Sequence, residues 1–429
     1  MRLDVLSLLP VVFAIVINLA GGVTPHSACQ SAFAQEVRSS AASSPWPNWM
    51  GPNFDGISDE SGWSTKWPDE GLSTLWTAEL GIGFSSLSIV DGKLYTMGNA
   101  DGIESVYCFD ANDGQLIWKH SYPCELIAVL YEGGPGSTPT VDGDHVYAVS
   151  KEGQLMCLDR FKGDIVWEQS LQKLLGVHLP EWGFNASPTI FDGNVLVEVG
   201  RLASLNKLTG ELNWQSDLHA SGYGSVRVLQ QSATTDQESD LLVTLDCDAI
   251  RINAASDGKE IVAEPWKSPF RTNSTTPILS DDTIFISTGY NVGCGLFRFD
   301  GSTLSEVYAN KEMRNHFNNC ILYDGYLYGF DGNSNLGRVV TLKCMKLSDG
   351  SVAWEHRGYG CGSLMIADKK LIVLSDDGLL VVADASREGF QKLAEAQILE
   401  GRCWTIPLLH NRRVYARNAK GKLVCVQLP

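Results

Sequence analysis

The side chains best suited to bind a ligand lie in long segments that separate repeated stretches of this sequence. The segments are HSYPCELIAVLYEGGPGS (120–137), SLQKLLGVHLPEWGFNAS (170–187), KSPFRTNST (267–275), NKEMRNHFNN (310–319), RGYGCGS (357–363) and EGRCWTIP (400–407). Their aromatic faces can stack on a ligand, and their guanidinium groups can donate to carboxylates or hydroxyls. The candidate ligand-binding residues are Tyr131, His178, Trp182, Asn185, Arg271, Arg314, His316, Tyr359, Arg402 and Trp404. They predict a site for a protein or for a small polar or sugar-like ligand.

The same residues also fit a purely structural interpretation. Trp182 and Trp404 could plug a channel, the arginines could pair with acidic groups, and the histidines could be hydrogen-bonded core residues. The sequence contains no Gly-x-Ser-x-Gly elbow, no His-Glu-x-x-His, no phosphate-binding Gly-Lys-Ser/Thr loop and no Cys-x-x-Cys. We therefore predict no catalytic residue, no metal-binding residue and no cofactor.

The charge of the chain limits its partners. Its 429 residues carry a formal net charge of -17. Because such an acidic surface repels phosphate backbones, nucleic-acid binding is disfavoured. A protein or a small molecule remains as the partner, and we expect a monomer.

A recurring phrase determines which elements hold these segments. VYCFDANDGQLIWKHS (106–121) and LMCLDRFKGDIVWEQS (155–170) share an acidic residue, a Gly four places later and a Trp four places after that. An Asp or Asn there can accept from amides of the turn, Gly can take positive φ, and Trp can pack on a neighbouring unit. The residues that repeat are Asp110, Gly114 and Trp118; Asp159, Gly163 and Trp167; Asn206, Gly210 and Trp214; and Gly350 and Trp354. Their recurrence indicates architecture, not a reactive site.

The repeat predicts an all-β protein, an eight-bladed β-propeller. Copies lie 38 to 49 residues apart, a spacing typical of propeller blades. Each copy holds two hairpins, the first often with an Asp-Gly turn such as Asp142-Gly143. The last copy ends before a fourth strand, so LSTLWTAEL (72–80), with Trp76, should supply that strand and close the ring. Seven blades would remain if the decayed copy near Asp384 is not a repeat.

The N-terminal residues resemble an export signal. Residues 6–23 carry no charge, and Ala32-Phe33-Ala34 fits a signal-peptidase site. We predict a signal peptide (1–34), a linker with a Trp-rich leader packed on the propeller (35–71) and the propeller (72–429). A periplasmic or secreted protein follows. The alternative is an uncleaved helix that anchors the protein to the membrane.

The repeat, as in CFDANDGQLIW and CLDRFKGDIVW, resembles the PQQ-like repeat of quinoprotein-type propellers and of BamB-like proteins. The resemblance covers about residues 72–429 and implies the propeller fold. The leader PWPNWMGPNFDGIS is similar to that of exported bacterial PQQ-like propellers of unknown activity.

Two functions follow from this resemblance. Quinoprotein alcohol dehydrogenases of this superfamily hold pyrrolo-quinoline quinone (PQQ) and calcium in the central channel, usually beneath a disulfide of adjacent cysteines. This chain has no adjacent Cys pair. The main expectation is thus a non-catalytic binding or scaffold protein that engages its partner at the channel mouth. The alternative is a PQQ-dependent alcohol dehydrogenase-like oxidoreductase.

Overall fold

The computed structural model describes residues 44–230 and 240–429. The predicted signal peptide (1–34), the membrane-anchor alternative and nearly all of the predicted linker lie outside the described residues. Their assignments therefore stay predictions.

The described chain forms eight β-sheets. The strands of its first half are β1 (Ile57–Ser58), β2 (Thr74–Glu79), β3 (Ser88–Val90), β4 (Lys93–Ala100), β5 (Ile103–Asp110), β6 (Leu116–Pro123), β7 (Thr140–Asp142), β8 (His145–Val149), β9 (Gln154–Asp159), β10 (Ile165–Ser170), β11 (Thr189–Phe191), β12 (Asn194–Glu198), β13 (Leu202–Asn206), β14 (Leu212–Gln215), β15 (Arg227–Leu229), β16 (Leu241–Leu245), β17 (Ala249–Ala254) and β18 (Glu260–Pro265).

The second half continues the series with β19 (Ile278–Ser280), β20 (Thr283–Thr288), β21 (Gly293–Phe299), β22 (Leu304–Asn310), β23 (Ile321–Tyr323), β24 (Tyr326–Asp331), β25 (Thr341–Lys346), β26 (Val352–Arg357), β27 (Ser363–Ala367), β28 (Lys370–Leu374), β29 (Leu379–Asp384), β30 (Lys392–Gln397), β31 (Leu408–His410), β32 (Arg413–Arg417) and β33 (Lys422–Gln427). A short helix, α1 (Leu171–Leu175), and a 3-10 helix (Ser334–Val339) lie between strands.

Each sheet is one blade of a propeller. Blades 1 to 6 take four consecutive strands each, from β3 to β26. Blade 7 contains β27 to β30, and β1 adds to it in parallel beside β27. Contacts between the first strands of neighbouring blades, such as β3 with β7 and β7 with β11, place these strands on the inner wall of the ring. The predicted eight-bladed, all-β fold is confirmed, and the seven-blade alternative is wrong.

The N-terminal strand closes the ring, as predicted. β2 pairs antiparallel with β33, and Trp76 lies opposite Cys425. Blade 8 therefore has the order β2-β33-β32-β31, with its outer strand taken from the start of the domain. This pairing protects the edge of β33, which would otherwise present unpaired amides and carbonyls to other chains.

In the five blades whose outer strand carries the repeat Trp, this residue attaches the blade to the next one. Trp118 Nε1 donates to Arg160 O over 2.8 Å, and its ring lies on Gly163, where a β-carbon would come within 2.5 Å of Cε3. Gly163 also has a φ of +75°, which disfavours other residues. The same pairing of indole and glycine recurs for Trp76 on Gly114, Trp167 on Gly210 and Trp214 on Gly258. The repeated Gly is thus needed for both its conformation and its small size.

The acidic position of the repeat orders the turn that follows it. Asp159 Oδ1 accepts the amides of Phe161 and Lys162, each over 2.9 Å. Asn206 does the same for Leu208 and Thr209. An amide oxygen therefore replaces a carboxylate oxygen at this position, which shows that the contact does not depend on charge.

The Trp-rich leader, residues 45–71, crosses the inside of the ring. It forms hydrogen bonds with the first strands of four blades. The Trp46 amide and carbonyl bond with Ile89 of blade 1 (2.8 Å each), and the Pro47 carbonyl accepts the Val141 amide of blade 2 (2.7 Å). The Phe54 carbonyl accepts from Arg227 Nη1 of blade 4 (2.6 Å), and the Gly56 carbonyl accepts the Ile366 amide of blade 7 (3.0 Å). Among its four tryptophans, Trp46 and Trp63 are buried, and Trp49 and Trp67 are half-buried. A segment bonded to four blades around the ring must span the central channel.

Candidate functional site

A cavity of about 540 Å³ lies where the loops that enter the first strands converge. This volume is within the range of roughly 300–1,000 Å³ that ligand pockets commonly have. Its lining residues are Trp49, Phe84, Ser86, Val129, Leu130, Tyr131, Gly136, Glu181, Trp182, Asn185, Ser187, Tyr223, Ser225, Phe270, Thr272, Ser274, Thr276, Tyr290, His316, Phe317, Asn318, Ser334, Asn335 and Trp404. Trp49 comes from the leader, so the loops and the leader enclose the cavity together.

An arc of aromatic side chains forms much of the cavity wall. In spatial order, with centroid distances of 5.2, 5.5, 4.4, 4.9, 5.0 and 5.0 Å between neighbours, it consists of Tyr131, Phe84, Trp404, Phe317, His316, Tyr290 and Phe270. We call these seven residues the aromatic collar. Trp182 and Tyr223 form a further edge-to-face pair, at 5.9 Å. Rings from eight separate segments of the chain thus line one space.

The collar histidine is neutral at physiological pH. Burial lowers the pKa of His316 to about 4. Its Nδ1 accepts the amide of Ser334 over 3.2 Å, so the proton resides on Nε2, which lies 3.1 Å from Tyr290 Oη. Among the lining residues, Glu181 is the one carboxylate, it is exposed, and no Lys or Arg lines the cavity. The wall is therefore almost uncharged.

Hydroxyl groups among the lining residues connect neighbouring blades. Ser187 Oγ accepts the Thr138 amide over 2.9 Å, Ser225 Oγ accepts the Ser187 amide over 2.9 Å, and Thr276 Oγ1 accepts the Ser225 amide over 2.8 Å. We call Ser187, Ser225 and Thr276 the hydroxyl row. These residues precede the first strands of blades 3, 4 and 5, so the ring itself fixes their positions.

A buried lysine supports the wall from behind. Lys151, 1% exposed, donates from Nζ to Tyr131 Oη over 2.7 Å and to Asn185 Oδ1 over 2.5 Å. Burial lowers the pKa of Lys151 to about 7 and raises the pKa of nearby Glu104 to about 7. Glu104 Oε1 in turn accepts the Tyr122 hydroxyl over 2.7 Å and the Lys151 amide over 3.2 Å. Lys151 thus links the loops 120–137 and 170–187.

The structure brings half of the ten predicted site residues to the cavity. Tyr131, Trp182, Asn185, His316 and Trp404 line it.

The other five predicted residues have different surroundings. His178 and Arg271 are exposed outside the lining. Arg314 forms a bidentate pair with Asp331, at 2.7 Å for both contacts. Tyr359 is buried against His356 and Phe390. Arg402 pairs with Glu132 over 2.5 Å and lies over the ring of Trp404, with 4.4 Å between its guanidinium carbon and the ring centroid.

Sequence reasoning missed several lining residues and the lysine that lies behind them. Phe270 and Phe317 lie in segments already selected as loops, where their aromatic character was a usable signal. Tyr290 lies in a turn between the second and third strands of blade 5, a position that the repeat describes as a simple connection. Lys151 lies in the equivalent turn of blade 2, where a lysine usually points to solvent. Neither position has a local sequence signal.

The lining does not fit PQQ and calcium, the groups that the quinoprotein resemblance implies. PQQ is a polycarboxylate, and a buried carboxylate requires a cationic partner or a metal. Neither Lys nor Arg is among the lining residues, and the described residues contain no cluster of three or more His, Cys, Asp or Glu placed to hold a metal ion. The ten described cysteines, all buried, are free thiols.

Comparisons with known proteins agree with the fold. The family model described as outer membrane protein assembly factor BamB matches residues 100–356, which is more than half of the chain. No curated protein sequence matches. Within residues 44–230 and 240–429, neither helix has the length and apolar character required to cross a membrane.

Several solved structures share the architecture. BamB from Moraxella catarrhalis has a TM-score of 0.59 and 17% identity, with 83% of this chain and 98% of that chain covered. Quinohemoprotein alcohol dehydrogenase from Comamonas testosteroni has a TM-score of 0.67 and 12% identity, with 89% and 80% covered. A europium-containing methanol dehydrogenase has a TM-score of 0.67 and 12% identity, with 90% and 98% covered. At these identities the similarity shows the fold alone.

Proposed function

The chain belongs to the family of the outer membrane protein assembly factor BamB, and on that premise we propose that it is a non-catalytic binding protein. Its ligand or partner segment enters the cavity at the loop end of the channel. The observation that supports this proposal best is the aromatic collar around a nearly uncharged space, because such walls bind a ligand by stacking and shape.

The groups that titrate near the cavity are poorly placed for catalysis. Both ring nitrogens of His316 already have partners, and burial lowers the pKa of this residue to about 4. Glu104 and Lys151 lie behind the wall and bond to protein groups. A general base must reach the proton that it removes, and these groups face the protein instead. We therefore propose that the protein works without PQQ, calcium or another cofactor.

The proposed location is the periplasm or the exterior of the cell. The signal-like residues 6–23 and the family of the chain support export. We propose that the protein acts as a monomer, since β2 already closes the ring. The net charge of -17 favours protein or small-molecule partners over nucleic acids.

The test is a binding screen with matched phenylalanine variants. Phe270 lines the cavity and is 59% exposed, whereas Phe161 lies on an outer turn of blade 2 and is 48% exposed. Thermal-shift screening with peptides and small polar compounds should identify a ligand whose Kd rises about tenfold in Phe270→Ala. Phe161→Ala should bind it like the wild type.

Two outcomes would contradict the proposal. The first is a ligand that binds Phe270→Ala and Trp182→Ala as tightly as the wild type, since the cavity would then not be the site. The second is dye-linked alcohol oxidation after the protein is loaded with PQQ and calcium, which would favour the oxidoreductase alternative.

A further inference from the structure

The aromatic collar favours ligands that have flat apolar faces. Its members lie 4.4 to 5.5 Å apart, so the wall is continuous and shields a ligand from water on one side. Aromatic rings contribute most of their binding energy through this kind of face contact. Three ligand classes suit such a wall: organic cations, aromatic or apolar peptide side chains, and sugars, whose C–H groups form apolar ring faces.

The hydroxyl row separates these classes. A hydroxyl group has one donated proton and two lone pairs. Since the oxygens of Ser187, Ser225 and Thr276 each accept one amide of the neighbouring blade, each group has its proton left to donate and one lone pair left to accept. Such groups can pair with a ligand that is rich in hydroxyl and ether oxygens, whereas an apolar side chain or a quaternary ammonium head would leave them without a partner.

The charge of the wall excludes anionic ligands of the same size. Neither Lys nor Arg lines the cavity, His316 is neutral, and Glu181 is the one charged lining residue. Arg402, the cation behind Trp404, is already paired with Glu132. A carboxylated or sulfated ligand would lose its hydration without gaining a counter-charge.

From these observations we infer that the cavity binds an uncharged carbohydrate. Its pyranose rings stack on the aromatic collar, and its ring and hydroxyl oxygens accept hydrogen bonds from the hydroxyl row. This inference rests on the proposed function and gives its ligand a chemical class.

The experiment measures binding of defined saccharides to the full chain by calorimetry and by tryptophan fluorescence. The probes are cellobiose, maltose and N,N′-diacetylchitobiose, each compared with a sulfated or carboxylated counterpart, and choline serves as the cationic probe. At least one neutral disaccharide should bind at millimolar concentration or below. Its charged counterpart should bind about tenfold more weakly or worse.

The variants connect binding with the cavity. Phe270→Ala and Trp182→Ala should each raise the Kd about tenfold, and Thr276→Val should raise it less, because it removes one donor and keeps the shape. Phe161→Ala should leave the Kd unchanged, and circular dichroism checks that every variant is folded.

Each remaining outcome is decisive. Cavity-dependent binding of a peptide or of choline, without binding of neutral saccharides, would overturn the carbohydrate class and leave the proposed binding function intact. Saccharide binding that is equal in Phe270→Ala, Trp182→Ala and the wild type would overturn both.

Discussion

The outer rim of this propeller, formed by the outermost strands of the blades, and the channel mouth use the same kinds of residue for different purposes. On the rim, Trp118 is buried, packs on a glycine of the next blade and donates its indole proton to a backbone carbonyl. At the mouth, Trp404 is half-buried, lies between Phe84 and Phe317, and lines the cavity. The rim residue recurs because five of the eight blades use the same attachment, through Trp76, Trp118, Trp167, Trp214 and Trp354. The mouth residue has no equivalent because each loop contributes a different part of one site.

The largest expected effect concerns closure of the ring. Deletion of residues 74–79 removes the strand that pairs with β33 and leaves the edge of that strand unpaired. We expect the protein to aggregate, since exposed edges recruit strands of other chains. Size-exclusion chromatography measures this. A monomeric deletion product that melts like the wild type would show that closure does not depend on this strand.

The next prediction compares how much one tryptophan of the rim and one of the channel mouth contribute to the free energy of unfolding. Trp118→Ala should lower the free energy of unfolding by about 3–5 kcal/mol, because it leaves a cavity between blades 1 and 2 and removes a hydrogen bond. Trp182→Ala should cost less than about 1 kcal/mol, because Trp182 is half-buried and lines open space. Urea denaturation of both variants gives the comparison. Equal losses would mean that Trp182 belongs to the scaffold.

A smaller effect is expected in the pH dependence of stability, through Lys151. Its pKa in the folded protein, about 7, lies below the value of 10.5 expected in the unfolded chain, because burial disfavours the charged form. Between these two values the unfolded chain binds more protons, so this residue makes the protein more stable as the pH rises. Below pH 7 both states are protonated and the contribution is constant.

Lys151→Met should remove this dependence. We expect the wild type to gain stability relative to the variant between pH 7 and 10.5, as measured by urea denaturation across that window. Lys420→Met, which changes an exposed lysine, is the matched control. A constant difference between the wild type and Lys151→Met would show that Lys151 stays protonated in the folded protein across this pH range.

Recurrence explains how much could be predicted from the sequence. The spacing that contains Trp118 and Gly163 recurs along the chain and predicts the strands and turns of a blade. This prediction does not require the contact between the two residues to be known. The strand at Trp76 could be assigned because the last copy lacks a fourth strand. The roles of Lys151 and Tyr290 could not be predicted in this way, because each depends on a contact that occurs once in the molecule, with Tyr131 and Phe270.

The arginines show a second limit of sequence reasoning. Arg314 and Arg402 have the chemistry to bind a ligand, but each is paired with a carboxylate of its own surroundings. In a chain with a net charge of -17, acidic partners for an arginine are abundant. Residue type alone therefore overestimates how many cations are available to a ligand, and charge balance needs to be considered with it.

The smallest expected effect tests whether the acidic position of the rim has any role beyond its turn. Asp159→Asn should change stability by less than about 0.5 kcal/mol, because Asn206 in blade 3 already makes the equivalent two bonds with an amide oxygen. Asp159→Ala loses both acceptors and should cost about 1 kcal/mol. Thermal and urea denaturation of the two variants measure the difference. If Asp159→Asn were as damaging as Asp159→Ala, the charge of the carboxylate would contribute to stability. This rim position would then depend on one specific chemical group, as the positions at the channel mouth do.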